Sequence, residues 1–430
     1  MTARTQSTWA IWIACVGIGL LYLVRSFQNY LSPMFGSLSG GSFSFSQITW
    51  LATAFLFPQS ICAPFVGWYA DRTSVRLSII TCMVLGVSAF LLISRGPGYL
   101  VSFAAVFCAG LAFILGKISL NTILVLHSSH ESLRHSVAKR ATLLNLGSFL
   151  GNTLAQAPGL GYSFYAALLS IFYVPLAFAL AVPASPNAAR KKSEFRWEHI
   201  RVLLKNRVFL ADALRRFALT LPYGCWGFVI STYCINLYGG NKLPVWRNSM
   251  TNLLTTLFGA HFLAVYVSKK LYARGFKWEW WSMTSVSLYC AGMLLLVFAR
   301  NPYLLVLAIV IFTSGEVLMT PCFDETAKKH SGEQTMATCM GLLHFVDGAG
   351  RWLGQLFAAG IYGVMLGSAY FGWYWPIVVA SFFLISGALH VGCHYLGRER
   401  NPSPVRSQNI GPIVEPATAV SILSHSETEP

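Results

Sequence analysis

The chain has 430 residues, of which 55% are hydrophobic and only 11% charged, with a formal net charge of +16. Soluble chains carry about 25% charged residues, so a string of water-soluble domains is excluded. The positive charge does not call for nucleic acid, because most of the 31 Lys and Arg cluster around Arg72, Lys139, Lys191, Lys269, Lys328 and Arg398, between apolar runs. That alternation is the charge asymmetry of membrane loops, with the basic ones facing the cytoplasm.

A helix needs about 20 apolar residues to cross the hydrocarbon core. Twelve such runs follow one another: 9–31, 48–66, 78–94, 101–125, 138–160, 163–182, 209–237, 249–267, 281–299, 303–321, 337–359 and 374–396. The expectation is an all-α, multi-pass membrane protein with twelve transmembrane helices and both termini in the cytoplasm. Trp9, Trp50, Trp246, Trp281 and Trp373 stand near run ends, where interfacial anchors belong. The basic loop 183–206 separates residues 1–182 from 207–396, six runs on each side. Within it, Ser193–Leu204 puts Trp197, Ile200 and Leu204 on one face of an amphipathic interfacial helix. Residues 397–430, rich in Pro, Ser and Thr, read as a disordered cytoplasmic tail.

The ten cysteines fall in or beside apolar runs without a C-x-x-C pair, so neither a disulfide framework nor a metal site is expected. No cleavable signal peptide is evident, and no cofactor is implied. Short outer loops and the lack of an N-x-S/T acceptor lean towards a bacterial inner membrane.

Between runs two and three lies Gly67-Trp-Tyr-Ala-Asp71-Arg72-Thr-Ser74-Val-Arg76. This resembles the loop between spans 2 and 3 of the major facilitator superfamily, with Ser74 where the family usually has glycine. The resemblance implies two pseudosymmetric six-helix bundles around a midplane site. It also implies that Gly67, Asp71, Arg72 and Arg76 help to latch the cytoplasmic ends of the halves. Ser268–Arg274, in the equivalent place of the second half, keeps basic charge but lacks the acid.

Ionisable residues in mid-membrane cost about 2.5–3.5 kcal/mol on insertion scales, so each needs a reason. Polar residues three or four apart share a helix face. They form stripes of Arg25, Gln28 and Asn29; Lys117 and Asn121; Asn145, Ser148, Asn152 and Gln156; Thr313, Glu316 and Thr320; and His344, Asp347 and Arg351. By the family resemblance Arg25, Lys117 and Glu316 face the substrate path. Lys117 has the alternative of snorkelling to the cytoplasm, and Arg25 that of a helix anchor. Asp347 and Arg351, at i and i+4, read as a structural or inter-half pair. Asp212, Arg215 and Arg216 read as interfacial. Gly147-x-x-x-Gly151 and Gly350-x-x-x-Gly354 fit close helix contacts.

Tyr22–Arg25, Pro33 and Asp71-Arg72 together resemble the organophosphate–phosphate antiporter branch, in which a span 1 arginine meets the anionic substrate. Tyr223 falls near the place of that branch's second arginine, and Trp226 follows it in run seven. The substrate-facing candidates are thus Arg25, Gln28, Asn29, Lys117, Asn121, Tyr223 and Trp226.

No G-x-x-x-x-G-K-[ST] loop, metal-ligand spacing or nucleophile elbow occurs, so the expectation is no enzyme. It is a monomeric secondary transporter of a small, anionic or oxygen-rich solute, working by alternating access. Protons or a counter-solute would drive it, with Glu316 as the proton-coupling acid. Proton-driven efflux of a drug or a siderophore-like metabolite is an alternative, and a transporter-like sensor is another of a different class.

Overall fold

The computed structural model describes residues 3–38, 45–95, 98–128, 133–154, 167–168, 170–171, 173–182, 197–225, 278–298, 302–331, 335–365 and 368–397. Among them no strand occurs, and helices stand at every predicted run except 249–267, which lies outside the described residues. The first half contributes α1 (Ala3–Leu38), α2 (Phe45–Ser60), α3 (Ala63–Arg72), α4 (Val75–Ser94), α5 (Tyr99–His127), α6 (Leu133–Leu154) and a 3-10 helix, Val174–Ala181. Then follow α7 (Trp197–Lys205), α8 (Arg207–Gly224), α9 (Trp278–Leu295), α10 (Pro302–His330), α11 (Met336–Met365) and α12 (Tyr374–Gly397). Among the described residues five helical stretches are long and apolar enough to cross a bilayer: 8–26, 75–94, 99–127, 280–298 and 371–396.

Run two is broken into α2 and α3 at Ile61 and Cys62. Pro64, in the first turn of α3, has no N–H for the Ser60 carbonyl, so the ladder is interrupted there. Ser74 then caps α4 by accepting from the Leu77 N–H at 3.1 Å. Its backbone is extended, φ −106° and ψ 150°, which serine adopts as readily as glycine.

The halves repeat one packing plan. In the first, α1 runs along α6 and α4 along α5; in the second, α8 runs along α11 and α9 along α10. The paired glycines make two of these contacts. A Cβ on Gly147 or Gly151 would overlap the Gly19 or Leu23 carbonyl of α1, and one on Gly354 would overlap the Leu221 carbonyl of α8. Such close approach, rather than an apolar driving force, holds helices together in lipid.

Among the described residues there result a small apolar core of Ala63, Ala70, Ile114, Ile118 and Ala337 and two large ones. One lies in the second half around Tyr289, Phe312, Tyr374 and Trp375. The other fills the first half and continues across the seam into Phe323, Ala327, Met336 and Met340. The halves therefore share a core at the end where α3, α6, α10 and α11 meet.

Two expectations need correction. Asp212, Arg215 and Arg216 are not interfacial but buried, 4–7% exposed: Asp212 pairs with Arg215 of its own helix and with Lys329 and His330 of α10, and Arg216 pairs with Asp347 of α11. In α7 the buried side is Leu203, beside a partly buried Ile200, while Leu204 is 47% exposed. The helix docks on the first-half core one position off the face read from the sequence.

Gly147→Ala drives a Cβ into α1 and should cost about 2 kcal/mol, seen as a lower thermal midpoint of the purified protein. Gly363→Ala, which meets nothing within 4 Å, is the control. Equal midpoints for the two would mean that α1 and α6 do not need this contact.

Candidate functional site

Four helices enclose a cavity of about 50 Å³ between the halves. From the first half come Arg25 of α1, Leu56, Gln59 and Ser60 of α2, and Ile114 and Lys117 of α5. From the second come His344, Asp347, Gly348, Arg351, Trp352 and Gln355, all of α11. The polar stripes seen in sequence on runs 1, 4 and 11 thus converge.

The cations differ in how they are held. The Arg25 guanidinium lies 5.3 Å from the Tyr22 ring centre and 5.4 Å from that of Phe113. Lys117 Nζ is 5.8 Å from the Tyr22 ring. Lys117 does not snorkel: α5 continues ten residues beyond it, to His127. Lys117 also hydrogen-bonds the Tyr22 side chain, and such contacts attract a cation without supplying a counter-charge. Arg351 is different. Its Nη2 lies 3.0 Å from Asp347 Oδ2, while Asp347 Oδ1 takes Arg216 of α8 at 2.8 Å. One carboxylate thus serves two guanidiniums. His344 is stacked on Phe323, 4.4 Å between centres, and its Nε2 is buried without a hydrogen-bond partner among the described residues, as is Arg351 Nε.

Behind Arg351 the Tyr223 ring centre lies 4.3 Å from its guanidinium, and the Tyr223 hydroxyl donates to Glu316 Oε1 at 2.9 Å. Glu316 and Tyr223 are not part of the cavity wall; they reach it through Arg351. Asn121 belongs elsewhere, since its Oδ1 accepts from Arg140 at 2.9 Å. Gln28 and Asn29 fall on α1 but outside the described side chains, and Trp226 lies outside the described residues.

At one end the halves are bound by charge. Asp71, at the end of α3, accepts from the Ala337 N–H (3.0 Å), the Thr338 N–H (2.6 Å) and the Thr338 hydroxyl (2.5 Å). It acts as the N-cap of α11 from the opposite half, where the helix dipole favours a negative charge. Burial pushes its carboxyl up to about 7, against these hydrogen bonds, which favour the charged form. Gly67 lets α3 approach this closely, because a Cβ there would overlap the Ala337 carbonyl. The basic residues of the same loop stay within the first half. Arg72 lies over Trp68, and Arg76 donates to the Val182 carbonyl at 3.3 Å.

The sequence reading missed a second inter-half contact. Arg140 of α6 meets Asp324 of α10 through two parallel hydrogen bonds, 2.8 and 2.7 Å, with both side chains buried. Beside it Lys328 Nζ donates to the Ser128 carbonyl at 2.8 Å. The signal was available: Arg140 lies inside run five and Asp324 within one turn of the end of run ten.

Solved structures share this architecture. The human organic anion transporter MFSD10 (TETRAN) aligns with a TM-score of 0.64 at 15% identity, over 91% of this chain and 99% of that one. The E. coli fucose:proton symporter FucP gives 0.63 at 13%, over 88% and 98%. A peptide transporter POT in complex with sulfate gives 0.66 at 12%, over 93% and 99%. At such identities the likeness shows the fold alone. Among curated proteins no sequence matches. The sequence pattern of the Major Facilitator Superfamily does match, over residues 7–355. With that match across most of its length, the chain belongs to the Major Facilitator Superfamily of membrane transporters.

Proposed function

We propose that this transporter moves a small organic anion through the cavity between its halves, with Arg25 and Lys117 as the anion-binding pair. One observation carries the reading. Both cations line the cavity, and among the described residues neither has a carboxylate at ion-pair distance. A charge left so in mid-membrane costs about 2.5–3.5 kcal/mol on insertion scales, and a bound anion would supply the missing counter-charge. The Nε2 of His344 and the Nε of Arg351 are buried beside this wall without a hydrogen-bond partner among the described residues.

Glu316 is the proposed proton site. Its bond to Tyr223, and the contact of Tyr223 with Arg351, tie its charge to the cavity wall. Gain of a proton at Glu316 would loosen Tyr223 and, through it, Arg351. The Asp71 end is taken as cytoplasmic and closed in this state, so the solute would exchange from the other side. The reading places both termini in the cytoplasm of a cell whose inner membrane holds the protein.

Arg25→Lys keeps the charge but loses the planar fork. Binding of the transported anion to purified, folded protein should weaken about tenfold, or roughly 1.4 kcal/mol, and Arg25→Ala should weaken it further. Equal affinities for the parent and Arg25→Lys would remove Arg25 from the site. Glu316→Gln should bind the solute yet fail to concentrate it in vesicles under a proton gradient; accumulation at the parental level would place coupling elsewhere. Asp71→Asn turns an acceptor towards a donor at the α11 N-terminus, so the protein should insert normally but transport poorly. Unimpaired transport by Asp71→Asn would show that this cap does not hold the closed state.

A further inference from the structure

The seam between α3 or α2 and α11 is zipped by three glycine contacts that run antiparallel: Gly67 on Ala337, Gly341 on Ala63, and Gly348 on Ser60. The last of these contacts, Ser60 with Gly348, already borders the cavity, and Leu56, Gln59, Arg351, Trp352 and Gln355 line it further along the same two helices. Trp352 stands at the edge of two faces of α11. His344, Asp347, Arg351 and Gln355 point to the cavity, while Phe345, Trp352 and Leu356, at i, i+7 and i+11, form an apolar stripe 40–50% exposed. On the opposite lip, Phe57 and Ile61, beside the lining residues of α2, are exposed to 43% each. In a membrane protein such apolar stripes face lipid.

Size points the same way. About 50 Å³ holds roughly three or four waters. That is room for a compact anionic head such as a carboxylate. We infer that the cavity opens sideways to the bilayer between α2 and α11, and that the solute is an amphipathic anion. Its head sits on Arg25 and Lys117, and its alkyl chain leaves past Trp352 into lipid. The inference rests on the anion reading above and narrows its substrate class. An anionic head could also arrive from water, so the experiment must separate the two sources.

The test uses the full chain in nanodiscs of zwitterionic phosphatidylcholine, with radiolabelled dodecanoate as the probe and shorter alkanoates, down to acetate, together with citrate, as competitors. Saturable dodecanoate binding is expected, and competition should strengthen with chain length, by up to roughly fourfold for each methylene the seam buries. Trp352→Ala should weaken dodecanoate binding about fivefold or more, a change of roughly 1 kcal/mol, while Trp352→Phe, which keeps an apolar lip, should preserve it. Arg25→Lys should weaken it as well. If acetate or citrate competes as well as dodecanoate does, the solute enters from water; sideways access is then overturned and the anion reading stands. Dodecanoate binding that neither Arg25→Lys nor Trp352→Ala alters is bulk partitioning and also overturns the proposal. If no anion of any length binds, the anion reading falls with it.

Discussion

The structure depends on one constraint, that a charge placed in a low-dielectric interior must be matched. Each buried ionic group is matched in its own way. Asp347 is shared by Arg216 and Arg351. Asp212 collects Arg215, Lys329 and His330. Arg140 and Asp324 satisfy each other through a paired fork, and Asp71 is matched by a helix N-terminus. Against this background Arg25 and Lys117 stand out, because among the described residues neither has a carboxylate at ion-pair distance, and their contacts are with Tyr22 and Phe113. The proposed anion site is the place where, among the described residues, the protein's own matching is incomplete.

The fold was largely legible. Apolar length marks helices, because a bilayer admits no other open structure, and the glycine spacing on runs five and eleven marks the contacts with runs one and seven. What stayed hidden was set by three-dimensional partners. Arg215 and Arg216 sit near the start of a run, where a basic residue ordinarily reaches the interface. Nothing local reveals that α10 brings Lys329 and His330 to Asp212, or that α11 brings Asp347 to Arg216. The break at Ile61 and Cys62 could have been read from Pro58 and Pro64. The docking side of α7 could not, since Leu203 and Leu204 are equally apolar and only the surface beneath chooses between them.

The cavity was legible by face rather than by residue. Helical spacing put Arg25, Lys117 and the Asp347–Arg351 pair on polar stripes, and the structure brings these stripes to one cavity. Periodicity could not say which inward residues share one space. Asn121 lies on the Lys117 face, one turn along, yet it serves Arg140. Arg140 itself lay inside a predicted run and went unremarked, since a basic residue two positions into a run looks like the end of a loop.

The contacts that join the halves at one end are ionic or capping contacts, and this chemistry would suit a joint that opens, as the proposed transport cycle requires. An apolar seam exposed to water loses about 25 cal/mol per Å², with nothing gained in return. The carboxylate of Asp71, the fork of Arg140 with Asp324 and the ammonium of Lys328 are each rehydrated when separated, so water returns much of what the contact supplied. The two states can then lie within a few kcal/mol, the range in which a bound solute can shift their populations. Met336, Met340 and Phe323, which carry the shared core across the seam, work against opening. The balance between that apolar part and the three polar contacts around it sets how readily the closed end gives way.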